Sequence, residues 1–75
     1  MRVTVTAGSW ARRWLPNGSV ELDLPADATA ADLPELLGLP AEEAGLFSIN
    51  GSAVPHGAAL SDGDTVRVFP VVMGG

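Results

Sequence analysis

The chain ends in Gly74-Gly75, directly after an apolar run over 66–73. Two residues without a Cβ make a tail narrow enough to enter a slot in a partner, and they reach backbone angles that are closed to other residues. An α-carboxylate has a pKa of about 3.3–3.7, so it is ionised at neutral pH and can act as an oxygen nucleophile. A glycine-rich end is equally compatible with a frayed, unreactive terminus. The rest of the chain must decide between the two.

The side chains offer little chemistry of their own. The sequence has no cysteine, which excludes a thiol nucleophile, a disulfide and a thiolate metal site. His56 has no second histidine or cysteine to form a metal site with, so we interpret it as a solvated loop residue. Asp62 and Asp64 flank Gly63, where aspartates more often form turns than catalytic pairs. We therefore expect no catalytic residues, no metal site and no bound cofactor, and hence a protein that is not an enzyme.

Length and charge limit the classes of function. Seventy-five residues are enough for one small domain. The net charge of −5 argues against nucleic-acid binding and favours a partner with a basic face. No apolar stretch approaches the roughly 20 residues that a membrane span requires, and the start of the chain lacks the apolar core of a signal peptide. We expect a cytoplasmic location, no membrane contact and a monomer when the protein is free.

The elements that must position the tail begin with a hairpin. Residues 2–6 and 20–24 alternate between apolar and polar side chains, as half-buried strands do. Pro16-Asn17-Gly18 between them is a turn signal, so the two strands form a hairpin with a broad loop over 8–19.

Four large side chains of this loop admit two interpretations, namely Trp10, Arg12, Arg13 and Trp14. In the first, the indoles cover one end of the core and the arginines are solvated. In the second, the four side chains form a docking patch, because Trp and Arg are enriched at binding hot spots.

A short helix follows the hairpin. Thr29 and Asp32 are both candidate N-caps, and Pro34 favours Asp32, because proline is tolerated in the first turn of a helix. Gly38 provides the C-terminal stop. The pattern predicts a buried stripe made by Leu33, Leu36 and Leu37.

The remaining pattern predicts one further turn over 40–44 and then strands over 46–49, 53–54 and 65–69. Asn50-Gly51 separates the first two of these strands as a turn. Pro70 cannot donate a ladder hydrogen bond, so regular pairing should weaken there. The order of elements predicts an α+β fold, a mixed four- to five-stranded sheet with one main helix packed across it. We assign 1–70 to the domain and 71–75 to an extended tail.

The C-terminal third of the chain carries a specific pattern. Ile49-Asn50-Gly51 is followed at natural spacing by Val54 and Leu60, and then by Asp62-Gly63-Asp64-Thr65-Val66, Phe69-Pro70 and Gly74-Gly75. This pattern resembles the MoaD/ThiS family of ubiquitin-like sulfur carriers, which includes the small subunit of molybdopterin synthase and the carrier of thiazole synthesis. The resemblance implies a ubiquitin-like β-grasp in which the last strand lies parallel to the first. The chain departs from the family in its shorter helical region and in the tail residues 71–73.

The resemblance also implies a mechanism and partners. A separate, ubiquitin-activating-like adenylating enzyme would use ATP and Mg to activate the Gly75 carboxylate, with Gly74 keeping the end slim. A sulfur donor would convert the adenylate to a thiocarboxylate, and a sulfur-accepting synthase would consume it. The implied partner-binding residues are Phe69, Pro70, Val71, Val72 and Met73.

Three functions stay open at this point. The first is sulfur transfer in cofactor or metabolite biosynthesis, with a molybdopterin-type pathway slightly preferred over thiamine or another product. The second is a ubiquitin-like modifier that is joined through Gly75 to target lysines. The third is a β-grasp binding module whose diglycine does not react. Because the chain has no lysine of its own, it could hardly be polymerised through itself.

Overall fold

The computed structural model describes residues 1–71. These residues form five strands and one α-helix in the order β1 (Arg2–Ala7), β2 (Ser19–Asp23), α1 (Leu33–Leu37), β3 (Ala44–Ile49), β4 (Ser52–Val54) and β5 (Thr65–Pro70). Short 3₁₀ turns cover Ser9–Ala11, Ala30–Asp32 and Ala41–Glu43, the last of them within the segment where a further turn was predicted. The expectations for Val72, Met73, Gly74 and Gly75 lie outside the described residues.

The strands form one mixed sheet in the order β2-β1-β5-β3-β4. β5 pairs parallel with β1 and antiparallel with β3, while β1–β2 and β3–β4 are antiparallel hairpins. The connection that carries the chain from β2 to β3 contains α1. This arrangement confirms the predicted β-grasp fold, and it puts the last strand at the centre of the sheet.

The core contains the inward-facing residues of the central strands and the first residue of the helix. Alternation along β1 and β5 buries every second side chain, as expected for a sheet covered on one face. The largest fully buried side chains are Phe47, Leu33, Val3, Val5, Val66 and Val68. Because both neighbours of β5 contribute to this cluster, the last strand is anchored along its length.

Both candidate caps lie at the start of the helical segment, each before a different turn. Asp32 occupies the N-cap position of α1, and Pro34 lies in the first turn, as predicted. Thr29 precedes the 3₁₀ turn that leads into the helix, and its backbone N–H donates to Asp32 Oδ2 at 2.9 Å. Thr29 therefore begins the 3₁₀ turn over Ala30–Asp32, and Asp32 at the end of that turn begins α1.

The predicted burial of Leu36 is wrong. Its side chain is 56% exposed, whereas Leu33 is fully buried and Leu37 is half-buried. The helix has only five residues, because Gly38 ends it with a left-handed φ of 75°. Leu39 follows this turn and is buried. The core contact therefore comes from the ends of this segment, and Leu36 is left on the outer side.

The aspartates before β5 form a turn, as the sequence indicated. Arg2 N donates to Asp62 Oδ1 at 2.7 Å, and Ser61 N donates to Asp64 Oδ2 at 2.8 Å. Gly63 between them has a φ of 86°, which is accessible to glycine without strain. The two carboxylates thus fix the entry into β5.

Within residues 1–71, no helix is long and apolar enough to cross a membrane. The same residues contain no group of three or more His, Cys, Asp or Glu side chains that could hold a metal ion.

Candidate functional site

The end of β5 is the point where the chain leaves the sheet, and we call residues 69–71 the tail root. Regular pairing was expected to weaken at Pro70, and it does: the strand continues through Pro70, which pairs with Ala44, but the ladder is irregular there. The pairing is possible because β3 shifts register between Ala44 and Leu46, so the missing proline N–H interrupts no regular ladder. One residue further, Val71 N donates to Glu43 O at 3.2 Å.

Gly45 lies in this irregularity and packs directly against the tail root. A Cβ on Gly45 would be 2.6 Å from Pro70 O and 2.8 Å from Val71 Cα, closer than real carbon contacts allow. The close approach of two backbones therefore requires glycine here. Sequence reasoning missed Gly45, although a glycine inside a strand pattern is a known signal of a bulge or a close backbone approach.

His56 contacts β3 next to the tail root, at Gly45 and Phe47. Its Nε2 is 3.2 Å from Gly45 O, and its ring meets the Phe47 ring edge-on with centroids 4.9 Å apart. His56 is exposed in the loop after β4, as predicted, and its imidazole also contacts the strand beside the tail root.

Exposed apolar side chains surround the tail root. Leu46 is 45% exposed and Val71 is 43% exposed, while Phe69 is half-buried and pairs with Leu46 across the sheet. The guanidinium carbon of Arg67 lies 5.6 Å from the centre of the Phe69 ring, within the range of a cation–π contact. The end of β5 therefore presents an apolar surface made by Leu46, Phe69 and Val71.

A pocket of about 420 Å³ opens beside the tail root, and we call it the root pocket. It is lined by Pro70 and Val71 from the tail root, by Glu42 and Glu43 from the turn before β3, and by Trp10 from the first loop. The structure therefore brings one of the predicted loop residues to the predicted partner-binding residues at the end of β5. Sequence reasoning missed the two glutamates.

The other loop residues lie differently. Trp14 is half-buried and packs against the core, and Arg13 places its guanidinium carbon 5.9 Å from the centre of the Trp14 ring. Arg12 is exposed. Trp10 is also half-buried against the core, so it lines the root pocket with part of its indole. A docking role for Arg12, Arg13 and Trp14 stays a prediction.

The strongest electrostatic pair lies away from this site, beside the start of the sheet. Arg2 Nε donates to Asp23 Oδ1 at 3.1 Å, and Arg2 Nη1 is 3.5 Å from Glu21 Oε2. The hydrogen bond and the positive charge of Arg2 lower the pKa of the Asp23 carboxyl below its ordinary value. The pair joins the start of β1 to the end of β2.

Several solved structures resemble the chain over nearly its whole length, among them the following three. The solution structure of the Haloferax volcanii HVO 2177 protein superposes with a TM-score of 0.82 at 27% identity, covering 100% of this chain and 87% of that one. The crystal structure of SAMP1 from Haloferax volcanii superposes with a TM-score of 0.76 at 26% identity and covers 100% of both chains. A Pyrococcus furiosus protein assigned provisionally as molybdopterin converting factor, subunit 1, gives 0.75 at 28% identity over 96% of this chain and 99% of that one.

A comparison with curated protein sequences found no match. The model of the ThiS family, in contrast, matches residues 10–75, which include the first loop, the whole crossover, β3 to β5 and the diglycine. With the β-grasp sheet and the exposed apolar end of β5, this match confirms the family that the sequence pattern indicated. The chain belongs to the ThiS family.

Proposed function

We propose that this chain is a sulfur carrier whose Gly75 carboxylate is activated by a partner and then loaded with sulfur. A carboxylate oxygen attacks the α-phosphorus of ATP in a ubiquitin-activating-like adenylating enzyme, pyrophosphate leaves, and an acyl-adenylate forms. A sulfide equivalent from a sulfur donor then attacks the acyl carbon, AMP leaves, and a thiocarboxylate remains on Gly75. The partner supplies ATP, Mg²⁺ and the catalytic groups, so this chain is a co-substrate.

The observation that carries the proposal is the ThiS family match, which extends through residue 75. The described residues support it, because β5 lies between two neighbouring strands and ends at an exposed apolar edge. A partner that binds Phe69, Pro70 and Val71 there holds the residues immediately before the reactive end. Val72 and Met73 would extend the same contact.

The test is the intact mass of the full chain after incubation with the purified adenylating enzyme of the same genome, MgATP and a sulfide source. We expect one oxygen of the chain to be replaced by sulfur, in an ATP-dependent manner. A variant lacking Gly75 is the control, because the buried core that it retains lies within residues 3–68. An unchanged mass of the full chain, with an enzyme that activates another carrier, would contradict the proposal.

A second candidate function is protein modification through the same activated end. It is favoured by the similarity to SAMP1. Another solved structure from Haloferax volcanii gives the full name as small archaeal modifier protein 1. Both functions begin with adenylation. They differ in the acceptor, which is a biosynthetic synthase for the carrier and a target lysine for the modifier. Trypsin cuts after Arg67, the last basic residue of the chain, so conjugation would leave residues 68–75 attached to target lysines. Finding this remnant in cell digests would show the modifier function.

The pathway that receives the sulfur is the finer part of the proposal. We favour a molybdopterin-type acceptor over a thiamine-type one, supported by the similarity to the Pyrococcus furiosus protein over nearly the full length of both chains. Purified synthases of the two pathways, each supplied with the thiocarboxylated chain, distinguish them by which one forms its sulfur-containing product.

A further inference from the structure

We propose that the root pocket binds an arginine side chain of the activating partner, so that the partner recognises this chain beside the start of its tail. The inference rests on the proposed function, because it names how the adenylating enzyme recognises this chain. It concerns Trp10, Glu42 and Glu43, none of which takes part in the chemistry at Gly75.

Three separate segments build the pocket, and a hydrogen bond joins two of them. Val71 N donates to Glu43 O at 3.2 Å, which ties the turn before β3 to the tail root. Glu43 N in turn donates to Pro40 O at 3.0 Å. The main chain of this turn is therefore engaged, while the side chains of Glu42 and Glu43 are exposed. Trp10 follows Gly8, whose hydrogen bond from Ala11 N at 3.0 Å shapes the loop that carries the indole.

The charges of the pocket are not balanced within the described chain. Among residues 1–71, the ion pairs are those of Arg2 with Glu21 and Asp23, so neither Glu42 nor Glu43 has a cationic partner there. The guanidinium of Arg67 lies over the Phe69 ring and forms no ion pair with either glutamate. Two adjacent carboxylates beside an apolar wall thus offer a local negative field to a cation from outside.

An arginine fits this lining better than the other side chains. Its guanidinium can stack on the Trp10 indole and donate two parallel hydrogen bonds to a carboxylate of Glu42 or Glu43. Its methylene stem can pack on the apolar surface of Pro70 and Val71. A lysine would provide the charge but neither the planar stack nor the paired donors. Trp10 and the two glutamates are therefore complementary to one residue type in both charge and shape.

The experiment measures binding of the full chain to the purified adenylating enzyme of the same genome by calorimetry, without ATP. We expect the double variant Glu42→Gln/Glu43→Gln to raise the dissociation constant about tenfold or more, because charge-assisted hydrogen bonds to the partner are lost. The matched control is Asp27→Asn/Glu35→Gln, which removes the same two charges at exposed positions outside the root pocket. We expect this control to change the constant less than about threefold, since only long-range steering is altered.

A third variant tests the indole. Trp10→Leu keeps an apolar side chain against the core but removes the aromatic face, so it should also weaken binding. Combined with the Glu42→Gln/Glu43→Gln pair, its effect should be smaller than in the parent chain, because both changes remove contacts to the same arginine. Additive effects would contradict a shared arginine.

Two further results, from comparing the glutamate variant with its control, would overturn the inference. In the first, the pocket variant and the charge-matched control weaken binding equally, which would mean that only net charge matters. In the second, neither changes the dissociation constant. The outcome is independent of the chemistry at Gly75: normal binding of the parent chain without adenylation would contradict the proposed function and leave the docking result standing. Absent binding of the parent chain would contradict both.

Discussion

The two ends of β5 are held by different kinds of contact, polar side chains at its start and close backbone packing at its end. At the start, Asn50 Nδ2 donates to Asp64 Oδ1 at 3.1 Å, and Thr65 N donates to Asn50 Oδ1 at 3.0 Å. Asp64 Oδ2 also accepts from Ser61 N. These contacts come from the turns at Asn50-Gly51 and Asp62-Gly63-Asp64, which the sequence pattern predicts.

At the other end, few polar side chains take part. The backbone of Pro70 and Val71 is held by the close approach of Gly45 and by the hydrogen bond from Val71 N to Glu43 O. The side chains there are apolar and exposed, and the root pocket opens between them and the first loop. The polar groups at the start of the strand therefore find hydrogen-bond partners within the chain. The end of the strand instead leaves apolar surface and negative charge exposed to a partner.

The largest expected effect is at the tail root. Gly45→Ala places a methyl group against Pro70 O and Val71 Cα, which cannot move aside as a flexible side chain would. We expect a loss of roughly 2–3 kcal/mol in the free energy of unfolding, the upper part of the usual range of overpacking, because the contacted atoms belong to the backbone. Chemical denaturation measures it. Gly57→Ala is the matched control, because its new Cβ would meet nothing within 4 Å. Equal stability of the two variants would show that the tail root is not held by close packing.

The next effect tests the polar start of β5. Asp64→Ala removes the acceptors of Ser61 N and Asn50 Nδ2, so we expect a loss of about 1.5 kcal/mol in the free energy of unfolding. Asp27→Ala removes the same charge at an exposed carboxylate and should cost less than about 0.5 kcal/mol. Partner binding should be unchanged by Asp64→Ala once the protein is folded. If folded Asp64→Ala bound the partner more weakly, the start of the strand would also take part in partner binding, which would contradict the distinction between the two ends.

A smaller effect is expected at the imidazole beside the tail root. His56→Ala removes the contact of Nε2 with Gly45 O and the edge-on packing against Phe47. We expect a loss of about 0.5–1 kcal/mol, measured by the midpoint of thermal unfolding. His56→Gln, which can restore a donor to Gly45 O, should recover part of it. If His56→Ala melts at the parent temperature, the imidazole does not support the tail root.

The smallest effect concerns the pair beside the start of the sheet. Since Arg2 lowers the pKa of Asp23, the pair stabilises the folded chain above the ordinary pKa of aspartate, and this contribution disappears as the pH falls through the lowered value. Arg2→Gln should raise the Asp23 pKa in an NMR titration. An unchanged pKa would show that the guanidinium does not act on this carboxylate.

The difference between the two ends also explains what the sequence could predict. Local signals were sufficient for the hairpin, for the turns at Asn50-Gly51 and Asp62-Gly63-Asp64, and for the helix stop at Gly38. These features depend on residues that are neighbours in the chain, where glycine, aspartate and asparagine have distinct backbone preferences. The parallel placement of the last strand beside the first was implied by the family resemblance.

The features that sequence reasoning missed depend on contacts between distant segments. A glycine in a strand pattern signals a close backbone approach, but nothing near Gly45 indicates that the approaching segment is Pro70. Likewise, nothing near Glu43 indicates that Trp10 will line the same pocket. Leu36 was misplaced for a related reason: its spacing fits the buried face of the helix, but the core contacts are made by Leu33, Leu37 and Leu39 instead. Tertiary packing, which a single sequence does not display, decides all three.

We propose that activation and sulfur loading occur at the Gly75 carboxylate, and peptide mass spectrometry can locate the sulfur. After reaction with the adenylating enzyme, MgATP and a sulfide source, trypsin releases residues 68–75 as one peptide, because Arg67 is the last basic residue. Fragmentation of this peptide should place a single sulfur in place of oxygen on the fragment that ends at Gly75, apart from the sulfur of Met73. A peptide of unchanged mass, or sulfur found only on residues 1–67, would contradict the account.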